Sequence, residues 1–298
     1  RFVEDHGFLQ RVYDLDDSSS TYGYRRGNAG GRVREVPGCS PAMVSLLLAY
    51  TAFVMLSDLG LQFPDYTERV ELVGCDQKVL RNVTDLQNDA RAELREHPEL
   101  MGQYLASILG YPDCPEHAES IGNELTGVVA TAPADLTPLG GWPKDKRLVE
   151  MCLADKAAGR KAIVFFPQVG DRDPQPRVKA LLEEAGMRVE VLRSSVSPMR
   201  REQWIIEHEP SFDVLLTNGS LVEMGIDLIW APSIYVYGIY YSVMKLRQMI
   251  RRSFRPEQTE PVVVTFLGYK GTMQETALRL IAKKTRASHQ IEGDLGFG

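Results

Sequence analysis

From residue 144 onward, the sequence alternates short apolar runs with amphipathic stretches, and this alternation limits the possible fold more than any other feature. The apolar runs are rich in β-branched and aromatic residues, and several are continuously apolar. Such runs are typical of strands that are buried on both faces of a parallel sheet. We predict five strands, at 161–167, 187–192, 212–217, 233–239 and 261–267.

Helical patterns separate these runs. Gly159 and Gly186 stand where helix C-caps are expected, at the ends of the first two helical patterns. Strands that alternate with helices in this way predict an α/β fold with a doubly wound, mostly parallel sheet over residues 143–298. The predicted helices are 144–159, 175–186, 197–208, 242–253 and 272–285.

The first 142 residues lack this alternation, and we predict that they form a mainly helical linker or insertion lobe with a mobile N-terminal loop. The boundary is expected near Gly140–Pro143, at the end of a segment (126–143) with the composition of a linker. The predicted parts are a polar loop at 14–32, a buried helix at 41–59, a strand at 67–74, and helices at 76–97 and 98–110.

Composition excludes several classes of protein. The longest apolar run, Met43–Leu56, has 14 residues, whereas a membrane span needs about 20. The four cysteines show no CxxC spacing, and Cys114 with His117 is the nearest approach to a metal pair. We therefore predict no metal site, and four scattered thiols favour a reducing, cytoplasmic location.

Charge is distributed unevenly along the chain. The net charge is −6, but residues 245–286 carry ten basic and three acidic side chains, so that this segment is +7 and the remainder −13. Such asymmetry indicates a local anionic partner rather than non-specific coating of nucleic acid.

Ligands of open α/β sheets bind outside the carboxyl ends of the strands. The residues that follow the predicted strands are hydroxyls, amides, glycines and arginines, without a Cys/His pair or an evident nucleophile and base. Groups of this kind bind phosphates. The arginines are concentrated in the segment LRQMIRRSFRPEQ, Leu246–Gln258.

Two motifs give this pattern a family resemblance. The arginine segment has the form Gln-x-x-x-Arg-x-x-Arg-x-x-Gln, and the motif before it, at the third predicted strand, reads VLLTNGSLVEMGIDL. Upstream, Lys146 precedes KAIVFFPQ, and VLRSSVSPMRREQWI forms the next strand and its exit turn. Over 143–290, the chain resembles the C-terminal RecA-like lobe of superfamily-two helicases and translocases, with the Swi/Snf-like branch as the nearest. It departs from that branch at Arg251, where Asp is common, and at Pro256-Glu257.

The resemblance implies roles for the motif residues. At an ATP and Mg²⁺ site shared with a first lobe, Arg255 would be an arginine finger and Arg252 its companion on the γ-phosphate. Gln248 would orient the segment or contact the nucleotide, and Asp227 with Gly225 would sense the ribose. Contacts to the backbone of DNA, with RNA as an alternative, would come from Thr217, Asn218, Gln168, Arg193 and Ser194.

Other interpretations of the same residues are structural. Arginine-rich helices are commonly solvated faces, Gly225 and Asp227 are also typical of a turn and a helix cap, and Thr217 can simply end a strand. Tyrosines at the end of the fourth predicted strand could stack on bases, although alternation within a strand favours packing. These tyrosines are Tyr235, Tyr237, Tyr240 and Tyr241.

The sequence contains no G-x-x-x-x-G-K-[ST] loop and no DExH-type motif, which belong to the first lobe of this family. Because the chain begins at Arg1, we expect a fragment whose first lobe is missing and which has no ATPase activity by itself. The alternative is a non-catalytic module, derived from such a lobe, that binds nucleic acid or serves as an adaptor. A third alternative, a small-molecule enzyme such as a nucleotide-sugar transferase, lacks support from a Gly-rich first turn.

Overall fold

The computed structural model describes residues 9–12, 32–35, 63–168, 170–222, 225–240 and 242–291. Side chains are described for these residues except those of 9–12, 32–35, 171, 243–244 and 283–291. The predicted loop at 14–32 and the predicted helix at 41–59 therefore lie almost entirely outside the described residues.

The described strands form a six-stranded sheet and two antiparallel ribbons. The ribbons pair β1 with β2 and β4 with β5, whereas every neighbouring pair in the large sheet is parallel, in the order β3-β10-β9-β6-β8-β7. The strands are β1 (Leu9–Val12), β2 (Arg32–Glu35), β3 (Tyr66–Val73), β4 (Glu119–Asn123), β5 (Gly127–Ala132), β6 (Ala162–Phe166), β7 (Val189–Leu192), β8 (Val214–Asn218), β9 (Ser233–Val236) and β10 (Val262–Tyr269).

Burial explains why these runs form central strands. All five residues of β6 and all four of β9 are buried, as are the first four of β8, because helices cover both faces of the sheet. The α/β fold predicted from the continuous apolar runs is confirmed. All five predicted strands are present, each shortened or shifted by a few residues.

Seven α-helices connect the strands in the described part of the chain. Gly159 and Gly186 end two of them with positive φ, 75° and 83°, a conformation that glycine adopts without steric cost. The helices are α1 (Gln77–Glu93), α2 (Met101–Gly110), α3 (Pro143–Ala157), α4 (Gln175–Glu184), α5 (Arg201–His208), α6 (Val243–Ile250) and α7 (Met273–Ile291). None of these described helices has the length and apolar composition of a membrane span.

Residues 63–142 are only partly as predicted. The strand at 67–74 and the helices at 76–97 and 98–110 appear as β3, α1 and α2, but the predicted linker at 126–143 is wrong in its first part. There, Gly127–Ala132 pairs with Glu119–Asn123 in a hairpin. The register shifts between Ile121 and Gly122, and Gly122 has a φ of 154°.

The chain divides into two compact units, one of residues 62–279 and the other of 1–61 with 280–298. The predicted boundary at residue 143 lies inside the larger unit. Several contacts cross it: for example, β3 is the edge strand of the sheet beside β10, and Asp113 pairs with Lys144 in the interior.

Candidate functional site at the carboxyl edge of the sheet

Strand order creates a crevice beside β6. From β6 the chain leads to β7 and β8 on one side of the sheet, whereas from β9 it leads to β10 on the other side. The connections that leave the neighbouring strands β6 and β9 therefore run in opposite directions. Open α/β sheets bind ligands at such a switch point. Here the crevice contains two adjoining clefts, which share Asn218 and Ser220.

The apolar cleft has a volume of about 450 Å³. Its walls are formed by the end of α2, the exits of β6 and β9, and one face of α6. The apolar lining includes Ala106, Leu109, Pro167, Ile239, Tyr240 and Met249. The polar lining comprises Gln168, Arg172, Asn218, Ser220 and Lys245.

The polar cleft has a volume of about 550 Å³ and lies outside the ends of β7 and β8. Arg193, Ser194 and Ser195 line it in succession, and all three are exposed. The first two were predicted as nucleic-acid contacts. Their neighbours in the lining include Asp173, Asn218 and Ser220.

Asn218 joins the ends of β6 and β8. Its Nδ2 donates to the carbonyl oxygens of Phe166 at 2.9 Å and Pro167 at 3.2 Å. Its Oδ1 accepts from the backbone N–H of Ser220 at 2.9 Å and from the Ser220 hydroxyl at 2.6 Å. The amide that was predicted to hold a nucleic-acid backbone is therefore occupied in shaping the cleft, and the hydroxyl of Ser220 lies exposed at its rim.

Thr217 is placed differently from its prediction. Its side chain is fully buried, and its hydroxyl donates to the carbonyl oxygens of Leu192 and Asn218 at 3.3 and 3.2 Å. The structural interpretation, a residue that ends a strand, describes this geometry. Tyr235 and Tyr237 are likewise buried, Tyr240 lines the apolar cleft, and Tyr241 is outside the described residues.

The arginine segment is helical only in its first part. The hydroxyl of Ser242 caps α6, whose inner face buries Leu246, Met249 and Ile250 while Gln248 is exposed. Helix α6 ends at Ile250, three residues earlier than predicted. Arg252 and Arg255 therefore project from the following loop rather than from a solvated helix face.

This loop is fastened to the segment 225–229. The backbone N–H of Leu228 donates to the carbonyl oxygen of Arg252 at 3.0 Å. The buried side-chain amide of Gln258 donates to the carbonyl oxygen of Ile229 at 2.6 Å. Arg255 forms an ion pair with Asp227, with 3.3 Å between Nε and Oδ1. The two motifs found separately in the sequence thus meet in the fold.

The position of this pair matters for binding. The side chains of Arg255 and Asp227 are 42% and 57% exposed, so a ligand can reach both. Gly225, with a φ of 75° and open space around it, makes the turn that presents Asp227. Of the predicted nucleotide residues, the structure brings together Arg252, Arg255, Asp227 and Gly225, and places Gln248 on the exposed side of the helix that precedes them.

Sequence reasoning missed a buried ionic network beneath the clefts. Lys144 is fully buried and donates to Asp113 at 2.5 Å, to Gln274 Oε1 at 2.9 Å and to the carbonyl oxygen of Tyr237 at 3.1 Å. Burial raises the pKa of the Asp113 carboxyl, while Lys144 opposes that shift. Gln168 links this network to the apolar cleft, with 3.4 Å between its Nε2 and Asp113 Oδ2.

A second ion pair extends the network. Arg177 binds Asp145 at 2.9 Å, and Asp145 also accepts from the Tyr237 hydroxyl at 2.5 Å. The signal that could have revealed the network is Lys144-Asp145, two neighbouring residues of opposite charge at the start of a helix.

No group of three potential metal ligands occurs in the described part of the chain. Cys114 is buried, and its thiol donates to the carbonyl oxygen of Arg172 at 2.9 Å. Burial raises the pKa of that thiol, which disfavours the thiolate that a metal would bind.

Comparisons with known proteins concern the fold of the chain and the sequence pattern of residues 143–257. Residues 143–257 match the family model described as "Helicase conserved C-terminal domain". No curated protein sequence matches the chain. Among solved structures, the chain is similar to the C-terminal part of the Fun30 ATPase domain, with a TM-score of 0.52 and 12% identity, over 78% of this chain and 99% of that one. At 12% identity, the similarity to this structure shows the fold alone. The match to the family model shows that residues 143–257 also have the sequence pattern of that family. Residues 143–257 therefore form a RecA-like domain similar in sequence and fold to the C-terminal lobe of superfamily-two helicases.

Proposed function

We propose that this chain supplies the second motor lobe of an ATP-dependent DNA helicase or translocase of the Swi/Snf-like branch. The observation that carries the proposal is the junction of two motifs, in which Arg255 and Asp227 pair beside Arg252. Two guanidinium groups on one half-exposed loop suit the triphosphate of a nucleotide, because forked arginine donors match phosphate oxygens.

The described residues fit half of a nucleotide site. Arg252 and Arg255 can donate to phosphate oxygens, but no group of three potential metal ligands, such as Mg²⁺ would require, occurs among the residues that the structure describes. ATP with Mg²⁺ would supply the reacting phosphoryl group and would be held mainly by a first lobe. In this arrangement Asp227 keeps the Arg255 guanidinium oriented, and binding of phosphate competes for it.

The chemical contribution of the lobe is electrostatic. Arg255 and Arg252 would neutralise negative charge that develops on the transferred phosphoryl group, the role of an arginine finger. Gln248 would support the nucleotide side of α6. The polar cleft at the ends of β7 and β8 would contact the phosphodiester backbone through Arg193, Ser194 and the rim hydroxyl of Ser220, whereas Thr217 and Asn218 shape that edge from within.

The test is ATP hydrolysis by the two-lobed protein with the variant Arg255→Ala. We expect nucleic-acid-stimulated hydrolysis to fall by about 10³-fold or more, the range known for arginine fingers. Arg251→Ala is the matched control, since Arg251 is exposed in the same segment but does not stand at a motif position. Hydrolysis at the unchanged rate by folded Arg255→Ala protein would contradict the proposal.

The alternative of a non-catalytic binding or adaptor module makes a different prediction. In that case, full-length protein would bind nucleic acid without turnover, and both arginine variants would be equivalent. By itself, the 298-residue chain is expected to show no ATPase activity under either hypothesis, since its sequence lacks a phosphate loop.

A further inference from the structure

The apolar cleft has the size and lining of a site for a flat organic ring. Its volume of about 450 Å³ is within the range of small-molecule sites, about 300–1,000 Å³. Leu109, Pro167, Ile239 and Met249 give it apolar walls, and Tyr240 adds an aromatic ring. A phosphodiester backbone gains nothing from such walls, whereas the faces of nucleobases do.

Gln168 supplies a side-chain amide that can form a hydrogen bond with the edge of a nucleobase. Its Oε1 is buried without a hydrogen-bond partner, a state that costs free energy until a donor arrives. An amide oxygen accepts hydrogen bonds from the N–H groups on base edges, such as the N6 amino group of adenine. Because Gln168 Nε2 lies 3.4 Å from buried Asp113, the network beneath holds the amide in place.

The apolar cleft is continuous with the polar cleft. Asn218 and Ser220 line both, and beyond them Arg193, Ser194 and Ser195 offer donors suited to phosphate. Lys245 and Arg172 add two cationic side chains to the lining of the apolar cleft, although Arg172 is also ion-paired with Glu119. A nucleotide has this same division into an apolar ring and an anionic phosphate.

We propose that the apolar cleft accepts one unpaired nucleobase from a strand whose phosphodiester backbone lies along the polar cleft. The inference rests on the nucleic-acid part of the proposed function and deepens it, because it makes an unpaired strand the preferred ligand. The Tyr240 ring contacts a face of the base, and Gln168 Oε1 accepts a hydrogen bond from its edge.

The test compares oligonucleotides that differ only in their bases. Fluorescence anisotropy of the 298-residue chain would measure affinity for an oligodeoxyadenylate of about 12 nucleotides, a typical site size, and for an abasic strand of equal length. We expect the oligodeoxyadenylate to bind about tenfold more tightly, as one stacked base provides. A strand that is fully paired in a duplex should bind like the abasic strand.

The variant Ala106→Trp tests the location. Ala106 is exposed on α2 and lines the cleft, so a large side chain there fills it with little effect on folding. We expect Ala106→Trp to remove the preference for bases and leave abasic affinity unchanged. Met101→Trp, exposed on the same helix outside the cleft lining, is the control and should retain the preference.

Four outcomes would overturn the inference. Equal affinity of the wild-type chain for both strands would mean that binding is blind to bases, although the proposed backbone contact would stand. Equal weakening of abasic and normal strands by Ala106→Trp would mean that the cleft holds backbone. Competition by adenosine monophosphate as strong as that by the strand would indicate a site for free nucleotides. If no nucleic acid binds at all, the nucleic-acid part of the proposed function fails with it.

Discussion

Lys144 and Asp113 form an ion pair whose charges are both fully removed from water. Both side chains are fully buried, with 2.5 Å between Lys144 Nζ and Asp113 Oδ1. Lys144 Nζ also lies 4.6 Å from the centroid of the Tyr269 ring. A buried charge needs its partner, because desolvation exceeds what the remaining hydrogen bonds return.

We therefore predict that Lys144→Met destabilises the fold by about 3–5 kcal/mol, the cost of leaving one buried charge unpaired. Urea unfolding followed by circular dichroism would measure the loss. Lys146→Met is the matched control, since Lys146 is exposed on the same helix and should change stability by less than about 0.5 kcal/mol.

The double variant Lys144→Met with Asp113→Leu separates the ion pair from packing. Removing both charges should recover a large part of the loss, because replacing a buried pair by apolar side chains is often neutral or stabilising. If the double variant were as unstable as the sum of both single variants, the pair would have no special role.

The lowered pKa of the Asp213 carboxyl predicts how the stability of the fold depends on pH. Burial raises the pKa of this carboxyl, but hydrogen bonds from the side chain and backbone of Arg188 and from Lys156 outweigh burial, and the pKa is lowered overall. A carboxyl with a lower pKa in the folded chain stabilises it above the unfolded pKa of about 3.9. That contribution should be lost as the pH falls below about 5.

The measurement compares the free energy of unfolding of wild type and Asp213→Asn between about pH 7 and pH 3. The advantage of the wild type should be largest at neutral pH and shrink as the solution becomes acidic. An advantage that is constant over this range would show that the Arg188 contact, at 2.5 Å, does not depend on charge. Asp213 precedes β8, at the edge of the sheet opposite the clefts, so nucleic-acid affinity should not follow the same curve.

Individual site residues were predictable from the sequence only where spacing constrained them. Gly225, Asp227, Arg252 and Arg255 stood at motif offsets, and the fold brings them together. Their pairing was not predictable, since the contact joins two loops that only the sheet order makes neighbours. Thr217 shows the opposite case. The sequence pattern of a hydroxyl residue at the end of a strand is the same whether its side chain faces a ligand or, as here, the carbonyl oxygen of Leu192.

At the scale of elements, the site depends on how strand ends are joined. Parallel strands share backbone hydrogen bonds along their length, but beyond Phe166 and Asn218 the ladder between β6 and β8 stops. The Asn218 amide continues it by donating to the carbonyl oxygens of Phe166 and Pro167. It thereby fixes the wall that the two clefts share.

We predict that Asn218→Ala destabilises the chain by about 1–3 kcal/mol, since it leaves buried carbonyl oxygens without donors. Asn218→Asp should be worse than alanine, although it keeps the oxygen that caps the turn at Ser220, because it places a carboxylate oxygen against two carbonyl oxygens. Urea unfolding of both variants would check this order. Wild-type stability of Asn218→Asp would mean that capping, rather than the strand junction, is what Asn218 provides.

Elements were predictable where burial produced continuous apolar runs, as in β6, β8 and β9. The hairpin β4–β5 was missed because Gly127 and its neighbours have turn-like composition, and the pairing with Glu119–Asn123 involves the register shift at Gly122. The early end of α6 was also missed. Its helical periodicity continues into Arg251 and Arg252, and the contact between Arg252 and Leu228 that ends it is non-local.

At the scale of the whole molecule, the sheet is completed by a segment that the sequence assigned to another lobe. β3 pairs with β10 along eight residues, and Arg69 donates to the Thr265 hydroxyl at 2.8 Å. Parallel pairing over more than 190 intervening residues leaves no local trace in either strand. The predicted boundary lies at 143 because the alternation of strand and helix patterns in the sequence begins there.

This connection predicts the outcome of truncation. A chain of residues 143–298 would lose β3, α1 and α2, expose the edge of β10, and leave Lys144 without Asp113. An unpaired strand edge favours association between chains, and an unpaired buried charge opposes folding. We expect residues 143–298 to aggregate or to unfold without a cooperative transition, whereas residues 63–298 should unfold cooperatively. Size-exclusion chromatography and urea unfolding of both fragments would measure the difference. A monomeric 143–298 fragment with the unfolding midpoint of the longer chain would show that the RecA-like lobe is independent of the residues before it, and that 143 is a true domain boundary.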